Sequence, residues 1–116
     1  MILRSPIFSS MMLATLVLTS SAAFAGGDIE AGKAKSTICQ ACHGADGNGT
    51  GDGQYPRIAG QYADYLTKAL NDYKSGARAN AIMAGFASTL SKEDIENLAA
   101  FYAAQPSPLH DLSHRK

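Results

Sequence analysis

The chain has 116 residues, with ten Lys and Arg set against ten Asp and Glu, for a net charge of zero. No basic stripe emerges from that balance, so a nucleic-acid partner is not expected. The two cysteines and three histidines fall short of a structural zinc site, because only one His stands beside the Cys pair.

The first element is a targeting segment. Met1 to Pro6 carries Arg4 as its only charge, Ile7 to Leu18 is a short apolar run, and Ala23-Phe24-Ala25 places small residues where an export peptidase reads. This layout predicts a secretory signal peptide over residues 1–25, cleaved near Ala25. The apolar run is too short to span a bilayer comfortably as an anchor. Cleavage leaves 116 − 25 = 91 residues, one small domain with nine basic and ten acidic side chains. So short a chain buries a limited core by itself. No second long apolar segment follows, so a soluble periplasmic protein without stable membrane insertion is expected.

Asp28 then offers an N-cap, and Ile29 to Ala41 has no proline and reads as one helix. Gly44 is placed to stop it. Near its end, Cys39-Gln40-Ala41-Cys42-His43 spells C-x-x-C-H, the attachment site of a c-type haem. Two thiols one helical turn apart can each bond a vinyl group of one porphyrin, and the following imidazole faces the iron. On a helix the three residues stand at i, i+3 and i+4, on one face. A thiol–disulfide oxidoreductase would also use C-x-x-C, but the βαβ context it needs is missing. A large apolar porphyrin would supply interior that so short a chain lacks.

Residues 44–53 are loop by composition, with glycine at every second or third position. Phosphate binding lacks the P-loop lysine and a preceding strand. Calcium binding through Asp46, Asn48 and Asp52 lacks the EF-hand register and its terminal Glu. A tight wrap around the haem edge accounts for the glycines better. Gln61 to Ser75 is the clearest helix, with Tyr62, Tyr65, Leu66, Ala69, Leu70 and Tyr73 recurring at three- and four-residue steps as a core stripe. Gly76 ends it. A loop or short helical turn follows, carrying Asn80 and Met83. Of four methionines, Met1, Met11 and Met12 fall in the signal segment, which leaves Met83 as the only thioether of the mature domain. Met83 could fill a core gap; beside C-x-x-C-H it reads as the second iron ligand, because His and Met pair in electron-transfer haems. Ser91 caps the last helix ahead of an acidic first turn. Its buried face is Ile95, Leu98, Ala99 and Tyr102, with Phe101 at the boundary. Pro106 closes it, and residues 106–116 form a short polar tail expected to fray. No strand pattern appears, so the class is all-α.

Four landmarks in order now carry a resemblance: Cys39-Gln-Ala-Cys42-His43-Gly44, then Tyr55-Pro56-Arg57-Ile58-Ala59-Gly60-Gln61, Met83, and Leu98-Ala-Ala-Phe101-Tyr102. Across about residues 27 to 105 the chain resembles class I c-type cytochromes, above all small bacterial periplasmic monohaem members and single halves of their dihaem relatives. The resemblance implies a small cytochrome c fold over 26–105, with three main helices and loops wrapped around one haem c. It implies thioethers from Cys39 and Cys42, a proximal His43, a distal Met83, and a Pro56 carbonyl that accepts the imidazole Nδ1–H. It makes Arg57 a propionate partner, and Gly32 the small residue that lets the first and last helices cross beneath Phe101. The implied function is monomeric single-electron carriage between larger redox proteins, without catalysis. The open alternatives are a cytochrome subunit of a dehydrogenase or oxidase, a ligand-binding haem protein with a displaceable Met83, and a bis-His haem using His110 or His114.

Overall fold

The computed structural model describes residues 26–108. The expected signal segment, its cleavage point, and His110 and His114 all lie outside the described residues. Among them every regular element is a helix: α1 (Ile29–Lys35), a 3-10 turn (Ser36–Ile38), α2 (Gln40–His43), α3 (Ala63–Ser75), α4 (Ala81–Ala87) and α5 (Lys92–Ala103).

The first helix departs from the single run to Ala41 that its composition predicts. Asp28 caps α1 by accepting the Ala31 N–H at 2.8 Å. At its far end the hydroxyls of Ser36 and Thr37 donate to the carbonyls of Lys33 and Ala34, at 2.7 and 3.3 Å. Such local bonds compete with the helical ladder, and the chain tightens into a 3-10 turn. Cys39 therefore sits at a junction, with φ −97° and ψ −21°, and starts α2 rather than lying inside a long helix. The His43 N–H still returns to the Cys39 carbonyl at 3.0 Å, so the i, i+4 spacing survives.

α5 is the axis of the fold, packing on α1 and α3, while α4 packs on α3. The expected face of α5 is buried: Ile95, Leu98, Ala99 and Tyr102, with Phe101 joining them. Leu66 and Leu90 complete the cluster. Burying Ile95 or Leu98 contributes roughly 2 kcal/mol each. The α1–α5 crossing needs a glycine. A Cβ at Gly32 would lie 2.0 Å from the Asn97 carbonyl oxygen and 2.8 Å from the Phe101 Cβ. Asn97 is a buried polar side chain that periodicity did not single out; its Oδ1 accepts the Asp28 N–H at 2.7 Å, tying the start of α1 to α5.

The α3 stripe is only partly core. Leu66 is buried and Leu70 packs against the cluster, but Tyr62 and Tyr65 are 63% and 49% exposed. Tyrosine tolerates this because its polar tip prefers a wet partner. The Tyr65 hydroxyl accepts from Arg78 at 3.4 Å, and the same guanidinium lies 4.9 Å from the Tyr73 ring centroid.

Ser91 and Asp94 form a reciprocal cap on α5: each accepts the other's backbone N–H, both at 3.0 Å. Lys35 reaches the same carboxylate at 3.2 Å. The Ser91 N–H, and then Lys35, hold the Asp94 carboxyl below its ordinary range. A lowered folded-state pKa contributes stability that is complete above the unfolded value, about 3.9, and lost as pH falls through the folded one. Asp94→Asn should therefore unfold earlier in denaturant than the parent at pH 7, with the two midpoints converging as pH drops below about 4. Parallel midpoints across that range would contradict this role.

Candidate haem-attachment site

α2 and its two flanks place the motif. Cys39 and Cys42 are free thiols, both half-buried, and Cys39 packs against the α5 cluster. Burial pushes the Cys39 thiol above its ordinary pKa, opposed by the neighbouring Tyr102 hydroxyl. His43 is 7% exposed, and its Nδ1 stands 2.8 Å from the Pro56 carbonyl oxygen. A carbonyl can only accept, so the proton sits on Nδ1 and the Nε2 lone pair is left as a metal ligand.

Pro56 reaches His43 because the glycine loop doubles back. Gly44 ends α2 at φ +84°, and a Cβ there would lie 2.5 Å from the Gly49 carbonyl oxygen. The Gly49 N–H then donates to the His43 carbonyl at 2.7 Å. Further on, the Ile58 and Ala59 N–H groups both donate to the Gly47 carbonyl, at 2.8 and 3.0 Å. The loop is thus tied to α2 on one side and to Ile58 and Ala59, just after Pro56, on the other. Asp46 turns inward on Asn48, accepting its N–H at 3.0 Å and its side-chain amide at 2.9 Å.

Arg57 is exposed, and its Nε donates to the Asn48 carbonyl at 2.8 Å. With Tyr55, Asn48 and Asp52 it lines a shallow depression of about 230 Å³. The bond to Asn48 uses one of its five N–H groups, leaving others for an anionic group. Met83 comes from a separate element. It lies half-buried on α4, where Asn80 is the N-cap and accepts the Met83 N–H at 2.9 Å.

The residues present fit a covalently held haem. Two thiols, an imidazole with a free Nε2 and one thioether make the donor set of a His/Met haem. Apolar surface accompanies the donors: Ile38 precedes Cys39, and Ile82 and Phe86 flank Met83 on α4, all three exposed. One residue escaped the sequence reading in this role. Tyr102 reads as core from its period, yet its hydroxyl is buried against Cys39 with no well-formed hydrogen bond. The signal was present, since a buried tyrosine ordinarily needs a partner for its hydroxyl.

An all-α domain with a C-x-x-C-H turn and a carbonyl-oriented histidine defines the c-type haem proteins. Residues 29–104 match the family model for cytochrome c, and the chain belongs to that family, whose domain carries covalent haem c. It is 45% identical over 94 residues to cytochrome c4 of Pseudomonas aeruginosa, an alignment covering 81% of this chain and 46% of that one. It is 43% identical over 82 residues to cytochrome c-554(548) of Halomonas halodenitrificans, covering 68% of this chain and 98% of that protein. The fold superposes on reduced recombinant cytochrome c4 from Pseudomonas stutzeri with a TM-score of 0.67 at 38% identity, over 72% of this chain and 48% of the other. The chain therefore spans about half the length of the cytochrome c4 relatives that it matches.

Proposed function

We propose that the chain is an exported, monomeric single-electron carrier with one haem c, bound through Cys39 and Cys42 and ligated by His43 and Met83. The observation that carries this reading is the 2.8 Å contact from His43 Nδ1 to the Pro56 carbonyl on a C-x-x-C-H turn. It fixes the tautomer that a proximal ligand needs and raises the basicity of the other ring nitrogen. The haem supplies a reversible one-electron iron couple. The chain supplies the rest. Cys39 and Cys42 tether the macrocycle, Pro56 holds the imidazole proton, and Asn80 anchors the backbone of Met83. Arg57 stands available to a propionate on the loop side. His43 and Met83 together would hold the iron with no position left for a substrate, which favours carriage over catalysis. Met ligation also raises the reduction potential.

The partners on this reading are larger redox proteins that donate and accept single electrons. The layout of residues 1–25 supports export to the periplasm, and among the described residues no helix is long and apolar enough to cross a membrane.

A visible spectrum of the protein expressed with its signal segment and a haem-maturation system tests the reading. Sharp reduced α and β bands with a weak near-infrared sulfur-to-iron charge-transfer band in the oxidised form are the expected result for Met/His ligation. A haem spectrum lacking that band would refute Met83 ligation, and absence of covalent haem would refute the reading altogether.

A further inference from the structure

Tyr102 is 3% exposed, and its hydroxyl makes no well-formed hydrogen bond within the described fold. Such a group is costly to bury unpaired. It cannot swing away to find water. A Cβ at Gly47 would meet the Tyr102 ring carbons Cδ1 and Cε1 at 2.7 and 2.9 Å, which shows how closely the loop backbone clasps one side of the ring. Phe101 meets the ring edge-on, with centroids 5.0 Å apart. The residue's own carbonyl is held by the Gly60 N–H at 2.9 Å. The hydroxyl of this clamped ring has the Cys39 thiol and the Ser36 hydroxyl as neighbours. Ser36, fully buried, already donates to the Lys33 carbonyl at 2.7 Å and accepts from the Gln40 amide at 3.3 Å. That leaves two acceptors for the hydroxyl, the remaining lone pair of Ser36 and the sulfur of Cys39, which packs against the same cluster as the ring.

We propose that Tyr102 is a positioning residue for the haem: its hydroxyl donates a hydrogen bond to the Cys39 sulfur and, through that thioether, raises the reduction potential. The proposal rests on the haem attachment described under the proposed function. A sulfur that shares a lone pair with a proton gives less electron density to the porphyrin edge, which favours the reduced iron. Hydrogen bonds to coordinating or tethering atoms tune metal centres in this general way. The bond also sets the side-chain angle of Cys39, because the ring that makes it is fixed on α5. Burial raises the Tyr102 pKa and keeps its proton in place across the ordinary pH range.

The test is Tyr102→Phe in the haem-loaded protein, which deletes one oxygen and leaves the ring. The expected result is a shift of the iron equilibrium toward the oxidised form by about threefold, or roughly 30 mV at about 59 mV per decade for one electron. A purely structural hydroxyl would change the denaturation midpoint and leave the potential alone, and an unchanged potential overturns the proposal. A second measurement needs no variant. In the reduced unmodified protein, the Tyr102 hydroxyl proton should exchange slowly with solvent and show magnetisation transfer to the Cys39 β-protons. A fast-exchanging proton, or one that couples to Ser36 alone, overturns the proposal as well. Intact-mass analysis separates this from the underlying reading. Covalent haem with an unmoved potential removes only the role of Tyr102, whereas a chain without covalent haem removes both.

Discussion

Met83→Ala should leave the haem covalently attached, abolish the sulfur-to-iron charge-transfer band, and make the ferrous protein bind carbon monoxide within mixing time. Attachment depends on Cys39 and Cys42, which lie on the junction and turn before His43, whereas Met83 stands on α4 and contributes nothing to that turn. On the proposed ligation, loss of the thioether removes the soft ligand that favours Fe(II), so the potential should fall by on the order of a few tenths of a volt, within the roughly 0.8 V range that axial ligands command. Retained band, potential and inertness to carbon monoxide would show that Met83 is core filling. Asn80→Ala supplies the graded version. Asn80 accepts the Met83 N–H at 2.9 Å as the N-cap of α4, and losing such a cap costs about 1 kcal/mol of local helix stability. Met83 should remain bound but detach at lower temperature, with carbon monoxide binding intermediate between parent and Met83→Ala.

Much of this architecture was legible in the chain. The α5 helix matches its reading because its signals agree: a Ser cap, an acidic first turn, and a face of Ile95, Leu98, Ala99 and Tyr102 that is buried as its period requires. Gly44 and Gly76 end their helices with positive φ, as glycines so placed should. The break at Ser36 was not legible. Ser and Thr are common in helices, and whether their hydroxyls capture the carbonyl three residues back depends on the surrounding packing. Exposed Tyr65 of α3 and Tyr62 at its N-cap misled for a related reason: the three- and four-residue step identifies an amphipathic face without saying how far around the helix the core extends. At the site, C-x-x-C-H is local and could be read directly. The Pro56 contact spans thirteen residues and depends on how a glycine loop folds back, so only the family resemblance pointed to it. Asn97 and the Tyr102 hydroxyl were hidden because periodicity assigns side chains to faces and says nothing of the partner that a buried polar atom will meet.

Gly32→Ala is the substitution expected to cost most for its size. The added Cβ would lie 2.0 Å from the Asn97 carbonyl oxygen and 2.6 Å from its carbonyl carbon. Both are backbone atoms in the middle of α5, so no rotamer change relieves the clash. Either α1 lifts or α5 bends, and the Asn97 bond to the Asp28 N–H stretches with it. The expected loss is about 3 kcal/mol or more, at the upper end for overpacking, read as a lowered denaturant midpoint of the haem-loaded protein. Gly53→Ala makes the same chemical change where nothing lies within 4 Å of the new atom and φ is not positive; it should fall within about 0.5 kcal/mol of the parent. Equal effects from the two would mean that the helix crossing is looser than its geometry. The consequence reaches the site through the chain itself. α1 continues through the Ser36–Ile38 turn into Cys39, so lifting α1 carries the first cysteine away from Tyr102 on α5. A glycine remote from the proposed iron ligands thereby helps decide where the first thioether stands, and Gly32→Ala should lower the yield of attached haem as well as the stability.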